Sequence, residues 1–282
     1  MTRGSLFGYE VVSELPLRRL GDGVVPRGPL ELRRAAAPIE SGRGPEVHRA
    51  ERGGTTFVLE RMGTALAAHC SATGSYLVDP AARSVWAHPS GEPGDAWEHR
   101  VVSMAFPLLA SELGDAVIHA SAVAHDGRAV AFVGPPGRGK STIAAAASHF
   151  ELLGEDGVAV SDGDEGLLVW PGPRGVRLHD GSGKATQLVV DASPARLPMP
   201  LAVLVLLGER DPGRLRLDPV EATRAVPRLL PALIFGGSDR LAVAFSHAAR
   251  LAASTPVYAC RFPDGLDRLE PALEEVIGRV LG

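Results

Sequence analysis

The run Gly134-Pro-Pro-Gly-Arg-Gly-Lys140-Ser141-Thr142 fits G-x-x-x-x-G-K-[ST], and no other stretch constrains the fold so strongly. A loop of this kind must leave a strand and open a helix, because its backbone N–H groups have to converge on an anion at the helix N-terminus. Both flanks are present. Ala129-Val-Ala-Phe-Val133 is a short apolar run entering the loop, and the alanine-rich segment from Ser141 to His149 is helix-forming. Gly134, Pro135, Pro136, Gly137, Arg138, Gly139, Lys140, Ser141 and Thr142 are therefore the predicted nucleotide-binding residues. Lys140, one of only two lysines in the chain, is expected to reach the outer phosphates, and the Ser141 hydroxyl to hold Mg²⁺. Pro135 and Pro136 stiffen the loop without removing the later N–H donors.

Two absences narrow the nucleotide chemistry. The chain has no asparagine and a single glutamine, Gln187. A GTPase reads guanine with N-K-x-D, and a eukaryotic-type protein kinase holds metal with the Asn of H-R-D-x-x-x-x-N, so both classes are excluded. No L-S-G-G-Q run of a transporter ATPase occurs. Arginine outnumbers lysine 27 to 2, a codon bias and not a chemical signal.

A length of 282 residues with 45% hydrophobic content supports a sizeable core in one large or two smaller domains. Net charge is −4 without a basic run, which argues against nucleic acid and anionic membrane as partners. Pro200 to Leu207 is the longest apolar stretch, too short to span a bilayer, and reads as a buried strand. No signal-peptide pattern opens the chain, and Cys70 and Cys260 lack C-x-x-C spacing, so a cytoplasmic location is expected and the cysteines read as small buried hydrophobes.

Turn residues punctuate alternating runs at Thr56–Glu60, Thr64–Cys70, Ser75–Asp79 and Arg83–Ala87, the pattern of an antiparallel meander, whereas residues 20 to 54 read as loops. Residues 96 to 113 form an amphipathic helix with a kink expected at Pro107, and the domain junction is placed near residue 95. Ala116–Ala124 and Arg128–Val133 flank His125-Asp-Gly127, a β-hairpin feeding the loop directly. Such an entry implies a mixed sheet and not an all-parallel one. Strands are also expected around Glu151–Val160, Gly166–Trp170 and Pro256–Phe262, and helices over Asp239–Ser254 and Leu269–Val280.

Ile118-His-Ala-Ser-Ala-Val-Ala124, the fifteen-residue step from His119 to Gly134, the P-loop and Leu152-Leu-Gly-Glu-Asp156 together resemble the HPr kinase/phosphorylase family and its wider HPr-kinase-like group. Trp170–Leu178 and Pro256–Asp267 are similar to segments of that group. The resemblance covers roughly residues 96 to 282 and, more weakly, residues 1 to 95 as a β-rich lead domain. It implies an α/β fold with a mixed-sheet P-loop domain of the HPr kinase/phosphoenolpyruvate carboxykinase type. Transfer of the γ-phosphoryl group of ATP to a hydroxyl is implied too, most often a serine of a peptide or protein, with Mg²⁺. Family members can be hexamers, so a homo-oligomer is an implied arrangement. A small-molecule kinase in a biosynthetic pathway and a non-catalytic ATP-binding regulatory protein are the alternatives.

Carried onto this sequence, the resemblance makes Glu155 the base and Asp156 a metal ligand with Ser141, roles that can be exchanged, and sets His119 beside the pair to tune its charge. Family members usually carry two aspartates; the Glu here moves its oxygen by about a bond length, a displacement on the scale that costs about a hundredfold in rate. Adjacent strand residues face opposite ways, so both carboxylates address one site only if the backbone turns there, as Gly154 and Gly157 permit. Arg177 and Lys184 are further phosphate or substrate contacts on the resemblance. Glu209, just past the apolar strand, is a fallback metal ligand. The remaining histidines, His48, His69, His88, His99, His125, His149, His179 and His247, show no metal-ligand spacing and are assigned no role.

Overall fold

The computed structural model describes residues 1–147, 149–179, 185–189, 194–211, 213–233, 240–265 and 267–282. Eight strands build a first sheet: β1 (Thr2–Leu6), β2 (Tyr9–Ser13), β3 (Pro29–Arg34), β4 (Glu46–Arg52), β5 (Thr55–Met62), β6 (Ala65–Cys70), β7 (Gly74–Asp79) and β8 (Ser84–Pro89). Their order is β1-β2-β3-β8-β7-β6-β5-β4. The meander over β5 to β8 forms with antiparallel register, while β3 runs parallel to both β2 and β8 and makes the sheet mixed.

Residues 20 to 54 are not all loop, since β3 and β4 lie there. Leu30 and Leu32, both fully buried, are the only apolar anchors of β3, and two such residues two apart suffice for a strand with one face inward. β4 is the sheet's charged edge, pairing among the described residues only with β5. Charges on an edge strand discourage further pairing and also erase the alternation that reveals a strand in sequence.

α1 (Asp95–Arg100), a π-turn over Val101–Ala105 and α2 (Phe106–Glu112) follow. The predicted irregularity falls just ahead of Pro107, where the Phe106 N–H reaches back to the Val101 carbonyl. Pro107 offers no N–H to its own preceding turn, and the helix absorbs this by widening there. Trp97, Val101, Ala105, Phe106 and Leu109 pack on the first sheet in a cluster that also takes Val117, Ala159 and Trp170 from the second.

The second sheet contains β9 (Ala116–Ile118), β10 (Ala120–His125), β11 (Arg128–Val133), β12 (Glu151–Gly154), β13 (Val158–Gly163), β14 (Gly166–Trp170), β17 (Met199–Leu207), β18 (Arg216–Pro219) and β19 (Val257–Arg261). Its path is β12-β10-β11-β17-β14-β13-β9, with β19 on β17 and β18 on β19. β10 and β11 are antiparallel, whereas β17 is parallel to both β11 and β19, giving the mixed sheet expected from the hairpin. Ala116–Ala124 is not one strand. The His119 N–H leaves the ladder to donate to the Ala232 carbonyl at 2.6 Å, and β9 pairs with β13 while β10 pairs with β11 and β12. β15 (Val176–His179) and β16 (Ala185–Val189) pair antiparallel as a separate two-stranded sheet.

Side-chain alternation along β11 places the remaining helices. Ala129, Ala131 and Val133 pack with α4 (Ala222–Leu229) and α5 (Leu241–Ser254), whereas Val130 and Phe132 share a cluster with Ile143 of α3 (Lys140–Ala146) and Leu273 and Val276 of α6 (Leu269–Leu281). α3 ends at Ala146, short of the predicted His149, because Ala147 leaves helical geometry with ψ +46°. The start predicted for α5 at Asp239 lies outside the described residues. Among the described residues no helix is long and apolar enough to cross a membrane.

Candidate active site at the P-loop

β11 delivers the chain into the loop and α3 takes it out. Gly137 and Gly139 stand at φ +81° and +88°, the left-handed region where a Cβ is disfavoured, and these reversals bend the loop. Pro135 to Gly137 are exposed. The Lys140 ammonium is buried, donating to the Gly134 carbonyl at 2.7 Å and the Pro135 carbonyl at 3.2 Å. Burial lowers its pKa, opposed by Asp156 and Glu155.

Behind the loop, β12 leads into the acidic pair. The Gly157 N–H donates to the Glu155 carbonyl at 2.8 Å and Asp156 sits at φ +65°, a γ-turn centred on Asp156. That is the backbone turn the two carboxylates require to share one site. Positive φ at a non-glycine residue is strained, and such strain concentrates at functional sites. Gly172 sits under the turn, its N–H donating to the Leu153 carbonyl at 2.6 Å.

Glu155 is 1% exposed and its Oε1 accepts from the Ser141 hydroxyl at 2.8 Å, tying the acidic turn to the loop. Its Oε2 makes no hydrogen bond among the described residues and lies 3.7 Å from Arg19 Nη2. Burial, then the neighbouring Asp156 charge, push its carboxyl up to about 7, against the pull of Ser141 and Arg19. Asp156 is more open, its side chain 24% exposed, with His99 Nε2 3.4 Å from Oδ2 and His119 Nδ1 4.0 Å from Oδ1. His119 Nδ1–H also donates to the Asp156 carbonyl at 2.9 Å, which leaves its Nε2 as an acceptor.

The predicted residues thus fall into four groups. The P-loop, Ser141, Glu155, Asp156 and His119 converge. Arg177, on β15, lies close by, its backbone acting on Glu155 and its charge on Arg19 and His99. Lys184 lies outside the described residues. Glu209 accepts instead from the loop's Arg138 at 3.0 Å, with its side chain 77% exposed.

Two participants are new. His99 is drawn in from α1, with burial pushing its pKa down to about 4 against the attraction of Asp156. Arg19 is 5% exposed and reaches in from the segment after β2. A single arginine among 27 carries no local mark, and the sequence signal available for His99 was only its place on an amphipathic helix. Arg210 is a third neighbour: a Cβ on Gly139 would come within 2.7 Å of its guanidinium.

No family model matches the chain and no curated protein matches it. The solved structure of the HPr(Ser) kinase/phosphatase from Coxiella burnetii is similar over 59% of this chain and 99% of that one, at 13% identity and a TM-score of 0.33. That is a structural likeness alone; the chemistry has to be read from the site.

Proposed function

We propose that this chain is an ATP-dependent phosphotransferase whose acceptor is a hydroxyl, most simply a serine of a peptide or protein. The observation that carries the reading is the Ser141–Glu155 hydrogen bond of 2.8 Å, which joins a phosphate-binding loop to a buried acidic turn. A loop that only stored nucleotide would have no use for two carboxylates bent onto one site at the expense of a positive φ. Phosphoryl transfer needs both parts: a cradle for the phosphates and a carboxylate to orient and deprotonate the attacking oxygen.

The donor set fits a magnesium ion. Ser141 and Glu155 present oxygens only, the choice of a hard cation, and the buried Glu155 Oε2 lacks a hydrogen-bond partner among the described residues. Ser141 and Glu155 would hold Mg²⁺, which when bound neutralises charge on the transferring phosphate. This exchanges the two acidic roles relative to the motif match. Asp156, the more open carboxylate, faces the acceptor and takes the hydroxyl proton as the new oxygen–phosphorus bond forms and ADP leaves. Lys140 offers its ammonium to the outer phosphates, and the open nitrogen of His119 accepts from the acceptor or its neighbours.

Incubation with γ-labelled ATP, Mg²⁺ and a panel of serine peptides and hydroxylic small molecules tests this. Transfer by the wild type that Lys140→Ala and Asp156→Asn abolish supports the reading, and the label's destination separates a peptide kinase from a small-molecule kinase. Nucleotide binding by the wild type without transfer to any acceptor would make the chain a regulatory ATP-binding protein.

A further inference from the structure

Arg19 belongs to a region with no motif, yet its guanidinium is the most densely tied group at the site. Nε donates to the Arg174 carbonyl and Nη2 to the Gly175 carbonyl, each at 2.9 Å; Nη1 lies 3.2 Å from His99 Nδ1, and Nη2 is 3.7 Å from Glu155. We infer that Arg19 and His99 form a positioning pair that sets both carboxylates of the Glu155–Asp156 turn for phosphoryl transfer, so that a segment of the β-rich N-terminal region completes the active centre. The inference rests on the phosphotransferase reading above.

The direction of each hydrogen bond follows from valence. A guanidinium only donates, so His99 Nδ1 must carry its lone pair towards Arg19 and its proton must sit on Nε2. Nε2–H then points at Asp156 Oδ2, 3.4 Å away. Ser103, the other group near Nε2, spends its own hydroxyl proton on the His99 carbonyl at 2.6 Å, so it offers that nitrogen only an acceptor. One cation thereby addresses Glu155 directly and Asp156 through an imidazole whose tautomer it fixes.

Backbone anchoring makes the pair rigid. Glu98, 4% exposed and next to His99 on α1, accepts the N–H of Arg19 at 2.7 Å and also that of Arg18. Arg19 and His99 are thus fastened to the same turn of helix, and the acidic turn is referenced to α1. Without the guanidinium, two neighbouring carboxylates would repel each other across a buried turn, and their oxygens would drift from the reacting centre.

The test compares full-length wild type, Lys140→Ala, Arg19→Met, Arg19→Lys, His99→Phe and His99→Gln, reading kcat and KM for ATP, with the His99 tautomer read by ¹⁵N NMR. Arg19→Met should lower kcat about a hundredfold and also raise KM for ATP, since Arg19 touches the metal-side Glu155 directly as well as the acceptor-side Asp156 through His99, whereas the His99 variants should leave KM within about twofold. Arg19→Lys, keeping the charge without the fork, should recover part of the loss. His99→Phe should lose about tenfold and His99→Gln, which can still donate towards Asp156, should regain most of it. NMR should find the Nε2–H tautomer in the wild type and loss of that preference in Arg19→Met. If Arg19→Met does not fold, the His99 variants and the wild-type tautomer decide. Variants within twofold of an active wild type, or a wild-type Nδ1–H tautomer, would overturn the pair. No transfer by the wild type itself would sink the phosphotransferase reading instead, and the tautomer would still judge the geometry.

Discussion

Glu155 shows how a single residue can weaken the fold and serve the site. Burial, then the Asp156 charge, push its carboxyl up to about 7 from an ordinary 4.5, so the folded state holds its proton more tightly than the unfolded state does. Below pH 4.5 both states are protonated and nothing is lost. Between 4.5 and 7 the unfolded chain releases the proton first, stability falls as pH rises, and above 7 the full cost, on the order of a few kcal/mol, stands. Glu155→Gln should remove that slope, so thermal unfolding at pH 8 should show the variant more stable than the wild type and phosphotransfer abolished; equal stability at pH 8 would contradict the burial assigned to Glu155. Gly139 offers a second reading. An alanine there takes φ +88° and meets Arg210, so Gly139→Ala should weaken ATP binding about tenfold by calorimetry, the equivalent of about 1.4 kcal/mol of backbone strain. Both residues were legible in the sequence, because a P-loop and a Gly-Glu-Asp-Gly turn keep their meaning within a few positions. Arg19 and His99 were not, since their roles exist only after distant segments fold together.

Among elements, the acidic turn is held from below by the connection between β14 and β15. A Cβ on Gly172 would lie 3.3 Å from three backbone atoms, Gly154 Cα and the carbonyl oxygens of Gly157 and Leu153, none of which can rotate away. Gly172→Ala should therefore destabilise the fold by about 1–3 kcal/mol and, by lifting the turn, reduce phosphotransfer far more than ATP binding. A loss of ATP affinity as large as the loss of kcat would show that Gly172 supports the loop and not the turn. The elements that the sequence conceals are those whose patterns are too short or too charged, such as β3 with its two leucines and β4 at the edge. The β9–β10 break was hidden for another reason: both halves are apolar, and only the tertiary hydrogen bond from His119 to Ala232 divides them.

At the scale of the molecule, the two sheets meet over a buried ion pair. Asp115, immediately before β9 and 1% exposed, accepts from Arg27 Nη1 at 2.8 Å, and Tyr9 of β2 adds its hydroxyl at 3.3 Å. The Arg27 guanidinium also stacks over the rings of Tyr9 and of Trp170 on β14, 4.3 and 5.2 Å from their centres. Burial raises the Asp115 pKa even with Arg27 present, so its ionised form depends on that partner. Arg27→Met should then cost about 3 kcal/mol, the low end for breaking a buried pair because Arg27 keeps 19% exposure, and adding Asp115→Asn should recover much of it. Because Trp170, Val117 and Ala159 share one core with the first sheet, the sheets are expected to unfold together, although composition alone divides the chain near residue 95. Hydrogen exchange in urea reads this directly: amides of β6 and β11 should lose the same protection in Arg27→Met, whereas loss in β6 alone would mean two independently folding units and a site that Arg19 reaches across a loose joint.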